Sequence, residues 1–543
     1  MTALSRLFAQ ARAAFRNRNI RRLELAYAGA ITSEWAFTVA LAVFAYERGG
    51  ARDVGILGLV RMAPAALATP FTAAFADRYE RERALVVVSL LSGAALAASA
   101  LLFYESRSEA GIFAFAAAHA IVSTLCRPTV SALLPSLATS PQQLIAANGL
   151  SITLEGLGTL IGPLLAGLLV ATASVGVVFV FGAVAYLAAA LALAAIHVEG
   201  RLQSAHDRGD RNLAAGFRLL AREPQPRLIV GLFAAQTLVR GALNVLVVVI
   251  AFRLLHVGGS WVGFLSGAVG AGTLVGGFAT VALTGRRLAL LFGLGLVLWG
   301  VPIALVAAGS SKAVALLLLG AVGIGNAIED VTGETLLQRL VSDDVLGRVL
   351  GVMFGLATAG FGIGAIATPA LIAGLGVRGA LVATGVLLPA LVLLSLRTLG
   401  QIDATADAPT HELAILDQVP MFAPLPLVAK EQLARSLVAM TVAPGTEIIT
   451  EGDVGDRFYI LARGRVAVTQ AGHDMGDLGG GDSFGEIALL RDVPRTATVT
   501  ARDKVELYAL DRSHFLEAVA GHAAGRAAAD AVAAERLAAM TPD

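Results

Sequence analysis

The chain has 543 residues, of which 56% are hydrophobic and 15% charged, with a formal net charge of +1 and a mean hydropathy of +0.74. Soluble domains carry about 25% charged residues, so most of this chain is not built for water. A single cysteine, Cys126, excludes an intrachain disulfide framework and a cysteine-based metal cluster.

Residues 1–22 are rich in arginine (Arg6, Arg12, Arg16, Arg18, Arg21, Arg22) and hold no apolar core, so no cleavable signal peptide is predicted. Apolar stretches then recur almost without pause. A membrane-spanning helix needs about 20 predominantly apolar residues. Twelve such stretches are predicted: 23–46, 54–75, 84–104, 111–136, 144–172, 176–196, 227–252, 261–283, 287–308, 313–340, 346–375 and 378–396. The polar stretch 197–226 divides them into two halves of six, 23–196 and 227–397.

Basic residues fix the orientation. Arg78, Arg81 and Arg83 follow the second stretch, Arg201, Arg208, Arg211, Arg218 and Arg222 lie between the sixth and seventh, and Arg286 and Arg287 between the eighth and ninth. All fall on the side of the N-terminal arginines. The opposite loops are short and poor in basic residues, Arg48, Arg52, Arg107, Lys312 and Arg378 being among those they hold. The bias of Lys and Arg to the cytoplasmic side places both termini in the cytosol, in a cytoplasmic (inner) membrane. These residues read as topology signals, so no nucleic-acid partner is expected.

Two motifs give the membrane region a family. The segment AAFADRYERER (73–83), after the second stretch, resembles the cytoplasmic gate motif of the major facilitator superfamily through Asp77, Arg78 and Arg81. Ala73 and Glu80 stand where the family has glycine, Glu82 replaces a basic position, and a weaker echo remains at Thr284-Gly285-Arg286-Arg287. In the fifth stretch, Gly149, Gly158, Gly162, Pro163 and Gly167 fall at the spacing of the family's exporter-associated motif, with Ala166 as the departure. Small residues at these intervals let two helices approach backbone to backbone, and the proline adds a bend. The segment 127–150 also resembles the branch containing macrolide, siderophore and multidrug exporters. The resemblance implies two six-helix bundles, all α, exporting a small amphiphilic organic substrate, with a monomeric transporter bundle.

Charges within the apolar stretches are costly unless paired or hydrated, and so mark function. They are Glu34 in the first, Arg127 (with His119) in the fourth, Glu155 in the fifth, Arg240 in the seventh, and Glu329, Asp330 and Glu334 in the tenth. Glu34 and Arg127 are the leading pair for proton coupling, because the arginine matches the family's coupling arginine in position. Glu155, Glu329 and Asp330 are further candidates. Adjacent Glu329 and Asp330 point about 100° apart on a helix and cannot both face one cavity.

Beyond a linker, 398–410, the composition changes. Residues 441–468 alternate apolar and polar positions between Pro-Gly, Glu-Gly-Asp, Gly-Asp and Arg-Gly turns, the pattern of short antiparallel strands. The string FGEIALLRDVPRTATV (484–499) has the chemistry of a phosphate pocket. Gly485 allows close backbone approach, Ala488 keeps a wall small, Glu486 can accept a ribose hydroxyl, and Arg495 supplies a fixed cation beside the Thr496 hydroxyl. The string resembles the phosphate-binding cassette of the cyclic nucleotide-binding domain family, and the resemblance extends over 411–543. It implies a jelly-roll-like β-barrel with flanking helices. It also implies a cyclic mononucleotide held by Phe484, Gly485, Glu486, Ile487, Ala488, Arg495 and Thr496, with Glu486 on the ribose and Arg495 on the phosphate. Cyclic AMP is favoured, and Thr496 leaves cyclic GMP open.

No Ser-His-Asp context, metal-spaced histidine cluster or Walker-type lysine loop is present, and the eight histidines are scattered, so neither an enzyme nor a metal site is predicted. The sequence therefore reads as a proton-coupled exporter fused to a cytosolic cyclic nucleotide-binding domain that regulates it. The alternative is a membrane-anchored nucleotide receptor whose bundle is not coupled to the ligand.

Overall fold

The structure, a computed structural model, describes residues 17–76, 80–105, 108–137, 141–196, 213–282, 287–309, 311–341, 343–406, 410–425, 427–520 and 523–540. The chain separates into two compact units, Met1–Thr405 and Ala406–Asp543.

The first unit is helical among its described residues: α1 (Arg18–Ala76), α2 (Arg81–Glu105), α3 (Glu109–Ser123), α4 (Cys126–Leu137), α5 (Pro141–Thr172), α6 (Val175–Ala194), α7 (Leu213–Arg222), α8 (Pro224–Val249), α9 (Ser260–Ala282), α10 (Leu288–Val306), α11 (Lys312–Leu340) and α12 (Asp343–Ala406). Long Ala- and Leu-rich helices pair their interior backbone groups within the segment, as crossing lipid requires. Ten helical segments are long and apolar enough to cross a membrane, where the sequence reading had twelve. Two of the ten, Arg18–Ala68 (51 residues) and Val345–Asp403 (59 residues), each exceed twice the length of one crossing. Each is interrupted: Gly49 and Gly50 break α1, Gly50 with φ 65° and ψ −150°, and Gly376 breaks α12 with φ 70° and ψ 175°. Only glycine adopts such backbone without strain. The breaks fall between stretches that the sequence reading had counted separately, 23–46 and 54–75 in α1 and 346–375 and 378–396 in α12. α12 also continues through 398–406, which the sequence reading assigned to the linker.

Close helix approach depends on the small residues of α5. A Cβ at Gly162 would fall 2.6 Å from the Thr32 carbonyl oxygen and 2.7 Å from the Trp35 Cβ, both on α1. One at Gly167 would fall 2.6 Å from the Ser260 carbonyl oxygen on α9. Gly158 faces Ile31 of α1, whereas Gly149 has open space beside it. The motif thus lets α5 lie against α1 of its own half and α9 of the other.

The second unit carries α13 (Thr410–Gln418), α14 (Leu427–Ser436), eight strands, α15 (Glu486–Arg491), α16 (Arg512–Ala520) and α17 (Ala523–Met540). The strands are β1 (Val438–Val442), β2 (Glu447–Ile449), β3 (Arg457–Arg463), β4 (Val466–Gln470), β5 (His473–Leu478), β6 (Ser483–Phe484), β7 (Thr498–Ala501) and β8 (Val505–Asp511). They form two antiparallel sheets, ordered β1-β8-β3-β6 and β2-β7-β4-β5. Inward residues of both sheets, among them Ile449, Leu461, Val466, Phe484, Val499 and Leu507, make one core. Phe422, Phe458 and Phe515 join the helices to the outer face of β3 in a second core. These are the short antiparallel strands that the alternating pattern implied.

Candidate functional site

In the second unit a cavity of about 260 Å³ opens beside α15 and is lined by Phe484, Gly485, Glu486, Ile487, Ala488, Arg495, Thr496 and Arg536, with Val468, Met475 and Leu478 from the strands. The chain turns sharply after β6 because Gly485, at φ 90°, takes a left-handed conformation before the short helix α15. A side chain there would meet the Arg495 guanidinium at 2.8 Å. Arg495 is buried and held from behind: Nη1 donates to the Gly485 carbonyl at 2.9 Å, and Nη2 donates to the Arg457 carbonyl at 2.7 Å and to Asp456 at 3.4 Å. A guanidinium fixed this way meets an anion with little further ordering.

Glu486 is 1% exposed, and its Oε1 accepts a hydrogen bond from Arg536 Nη1 of α17 at 2.8 Å. Its Oε2 is buried and has no partner among the described residues. A buried carboxylate oxygen left unsatisfied is expensive, and a hydroxyl donor from a ligand would satisfy it. The site thus offers a cation and a hydroxyl acceptor across one small cavity, which fits a sugar phosphate of nucleotide size. All seven residues singled out from the sequence come together here. Arg536 was missed; its amphipathic helix was legible, but its docking onto Glu486 is a contact between residues 50 apart in the chain.

In the first unit a cavity of about 450 Å³ is lined by residues from both sides of the 197–226 stretch, including Glu34, Arg61 and Arg240. Glu34 does not reach Arg127. Its Oε1 lies 3.6 Å from Arg61 Nη2, and its Oε2 lies 3.4 Å from His119 Nε2. Arg127 instead pairs with Glu155 at 3.4 Å, and Glu155 also accepts a hydrogen bond from the Tyr27 hydroxyl at 3.3 Å. The two acids and two arginines are therefore sorted into separate pairs, Glu34 with Arg61 within α1 and Arg127 with Glu155 between α4 and α5. Arg61 was missed in the sequence, although a lone arginine inside the apolar run 54–75 was the signal available. Glu24, fully buried and accepting from Ser151 Oγ at 2.6 Å, was missed as well, because it sits where an apolar run begins.

Glu329 and Asp330 diverge, as neighbouring helix positions require. Glu329 is fully buried against Gly295 of α10, with neither carboxylate oxygen partnered among the described residues. Asp330 is half-buried and accepts from Asn326 Nδ2 at 2.8 Å. Of the gate residues, Asp77 and Arg78 lie outside the described residues, as do Thr284, Gly285 and Arg286. Arg81 Nη1 donates to the Ala132 carbonyl at 2.7 Å, tying the start of α2 to α4. Among the described residues no group of three or more His, Cys, Asp or Glu could hold a metal ion.

Two family models match the chain. The model of the Major Facilitator Superfamily matches residues 23–352, more than half of the chain, and the chain belongs to that family. The model of the cyclic nucleotide-binding domain matches residues 407–522. The same region is 42% identical over 102 residues to a cAMP-dependent protein kinase regulatory subunit of Yarrowia lipolytica, covering 18% of this chain and 27% of that one. It is 38% identical over 108 residues to one of Dictyostelium discoideum, covering 18% of this chain and 33% of the relative. The matches thus span a third or less of these relatives' own lengths. A solved structure of Sp-2Cl-cAMPS bound to PKAR CBD2 is 31% identical, with 20% of this chain and 76% of that chain covered and a TM-score of 0.20. Neither matched family is enzymatic.

Proposed function

We propose that this protein is a proton-coupled secondary transporter that exports a small amphiphilic organic compound, and that cyclic AMP binding to its C-terminal domain regulates it. In this reading the two interrupted helices each cross the membrane twice, giving twelve crossings. Both termini and the nucleotide domain are cytosolic, and the bundle works as a monomer. The observation that carries the transport reading is Glu34, a carboxylate on the wall of a cavity shared by both halves and held between Arg61 and His119. A carboxylate there can exchange a proton as the cavity opens to each side. Glu155 with Arg127, and Glu329 and Asp330 in the other half, are the remaining coupling candidates. The gate residues Asp77, Arg78 and Arg81 are assigned to closing the cytoplasmic side.

Cyclic AMP is favoured as the regulatory ligand because the relatives of the pocket are named as cAMP-dependent regulatory subunits; cyclic GMP is the runner-up. The test is reconstitution of the full chain in pH-jump proteoliposomes containing a pH dye and challenged with a panel of amphiphiles, with and without cyclic AMP. Substrate-dependent proton movement supports the transporter. Tight nucleotide binding with no movement for any compound supports the membrane-anchored receptor instead.

A further inference from the structure

We propose that the central cavity of the transporter unit takes an amphiphilic carboxylate, its charged group on Arg240 and its apolar body against Trp35, Trp299 and Phe361. This names the substrate class of the cavity and rests on the transporter reading for its biological use. Three charged side chains line the cavity: Glu34, Arg61 and Arg240. The first two compensate each other, because Glu34 lies 3.6 Å from Arg61 and also contacts His119. Arg240 makes no ion pair and no hydrogen bond among the described residues.

The acids that feel the charge of Arg240 are Asp330 and Glu329 of α11, and neither lines the cavity. Asp330 is already bonded to Asn326, and Glu329 is fully buried. The cavity wall therefore presents a cation, and the acids that feel its charge are not among the residues lining the cavity. A guanidinium is a planar fork that matches a carboxylate with two parallel hydrogen bonds. Asn244, which also lines the cavity, stands four residues further along α8 and so on the same helix face, where its amide can donate to the same group. The aromatic walls supply apolar area for the rest of the molecule. Indole faces also attract cations, so an amphiphilic amine is the competing class.

A matched pair of ligands separates the two classes. 4-Phenylbutanoate and 4-phenylbutylammonium share one apolar body and differ in charge. Two of the three tryptophans line the cavity, so quenching of intrinsic tryptophan fluorescence in the purified full chain reports occupancy. The carboxylate is expected to quench at a concentration at least about tenfold below the amine. Arg240→Gln should abolish that preference, and Arg240→Lys, which keeps the charge, should retain most of it. Quenching by the amine at an equal or lower concentration overturns the proposal. So does quenching by neither compound within its solubility, or a carboxylate response undiminished in Arg240→Gln. Proton-driven export of an amphiphilic cation would uphold the transporter reading while this inference failed.

Discussion

The carboxylate of Asp403 accepts the backbone N–H of Ala289 at 2.7 Å, and its second oxygen accepts that of Leu290 at 3.0 Å. Asp403 lies near the end of α12 and is buried, so the last transporter helix caps the first turn of α10. Residue 287, at the capping position itself, is an arginine whose side chain makes no cap bond. The missing acceptor is thus supplied from 114 residues away.

Loss of this cap should be measurable. Asp403→Ala leaves two amide donors at a helix start without an acceptor, and losses of that kind cost about 0.5–2 kcal/mol. Thermal unfolding of the detergent-purified chain should begin about one to two degrees lower in Asp403→Ala than in the parent. An unchanged profile would mean that water replaces the carboxylate without penalty.

In the nucleotide pocket Arg495 is held by three acceptors and has one face of its environment left to a ligand. Removing a buried anion-binding arginine costs about 2–5 kcal/mol. Titration calorimetry should therefore show Arg495→Ala losing cyclic AMP binding by at least about thirtyfold, the lower end of that range. Parent-like affinity would remove Arg495 from the phosphate role. Arg536→Ala should be milder for the ligand, because Glu486 keeps its ribose-facing oxygen. It strands a buried carboxylate, though, and should lower the stability of the nucleotide-free domain.

How much of this was visible in the sequence differs between the units for a physical reason. The cassette 484–499 is local: a left-handed glycine, a short helix and an arginine on one continuous segment make most of the pocket, so the resemblance of that one segment to a family cassette named its seven residues. Arg536 could not, because it comes from another helix. In the membrane unit the charged residues were nearly all visible, since any charge stands out against an apolar run. Their partners were not. Residues 34, 61, 119, 127 and 155 lie on different helices or on opposite sides of a break, and which acid meets which arginine depends on helix rotation. Helix rotation is set by packing such as that of Gly162 on Thr32 and Trp35, which periodicity does not encode. The expected pair of Glu34 with Arg127 was accordingly replaced by two other pairs.

Those pairs give coupling a specific test. Glu34→Gln keeps the shape of the side chain but removes its titrating charge, so movement driven by a pH gradient should collapse while substrate exchange without a gradient survives. Breaking a buried pair strands Arg61, at a cost of about 3–5 kcal/mol. The double variant Glu34→Gln with Arg61→Gln therefore serves as the stable comparison and should show the same loss of coupling. Full gradient-driven transport in the folded single variant would move the coupling role to Glu155 or to Glu329 and Asp330.

The last prediction concerns regulation. α12 ends at Ala406, where the second unit begins, and the next helix starts at Thr410, so little chain separates the transporter from the nucleotide domain. Proximity in sequence is not coupling. A ligand shifts a conformational equilibrium only by its differential affinity for the two states, and couplings are typically about 1–3 kcal/mol, or roughly 5- to 150-fold. Cyclic AMP is therefore expected to change the transport rate several-fold rather than act as an absolute switch. Coupling is reciprocal, so the state of the transporter must change nucleotide affinity by the same factor. Replacing the single cysteine by Cys126→Ser gives a background in which introduced cysteine pairs can lock the bundle closed at one end or the other. The two locked forms should bind cyclic AMP with dissociation constants differing at least about fivefold. Equal constants would mean no coupling free energy, and the nucleotide domain would then be a tethered receptor.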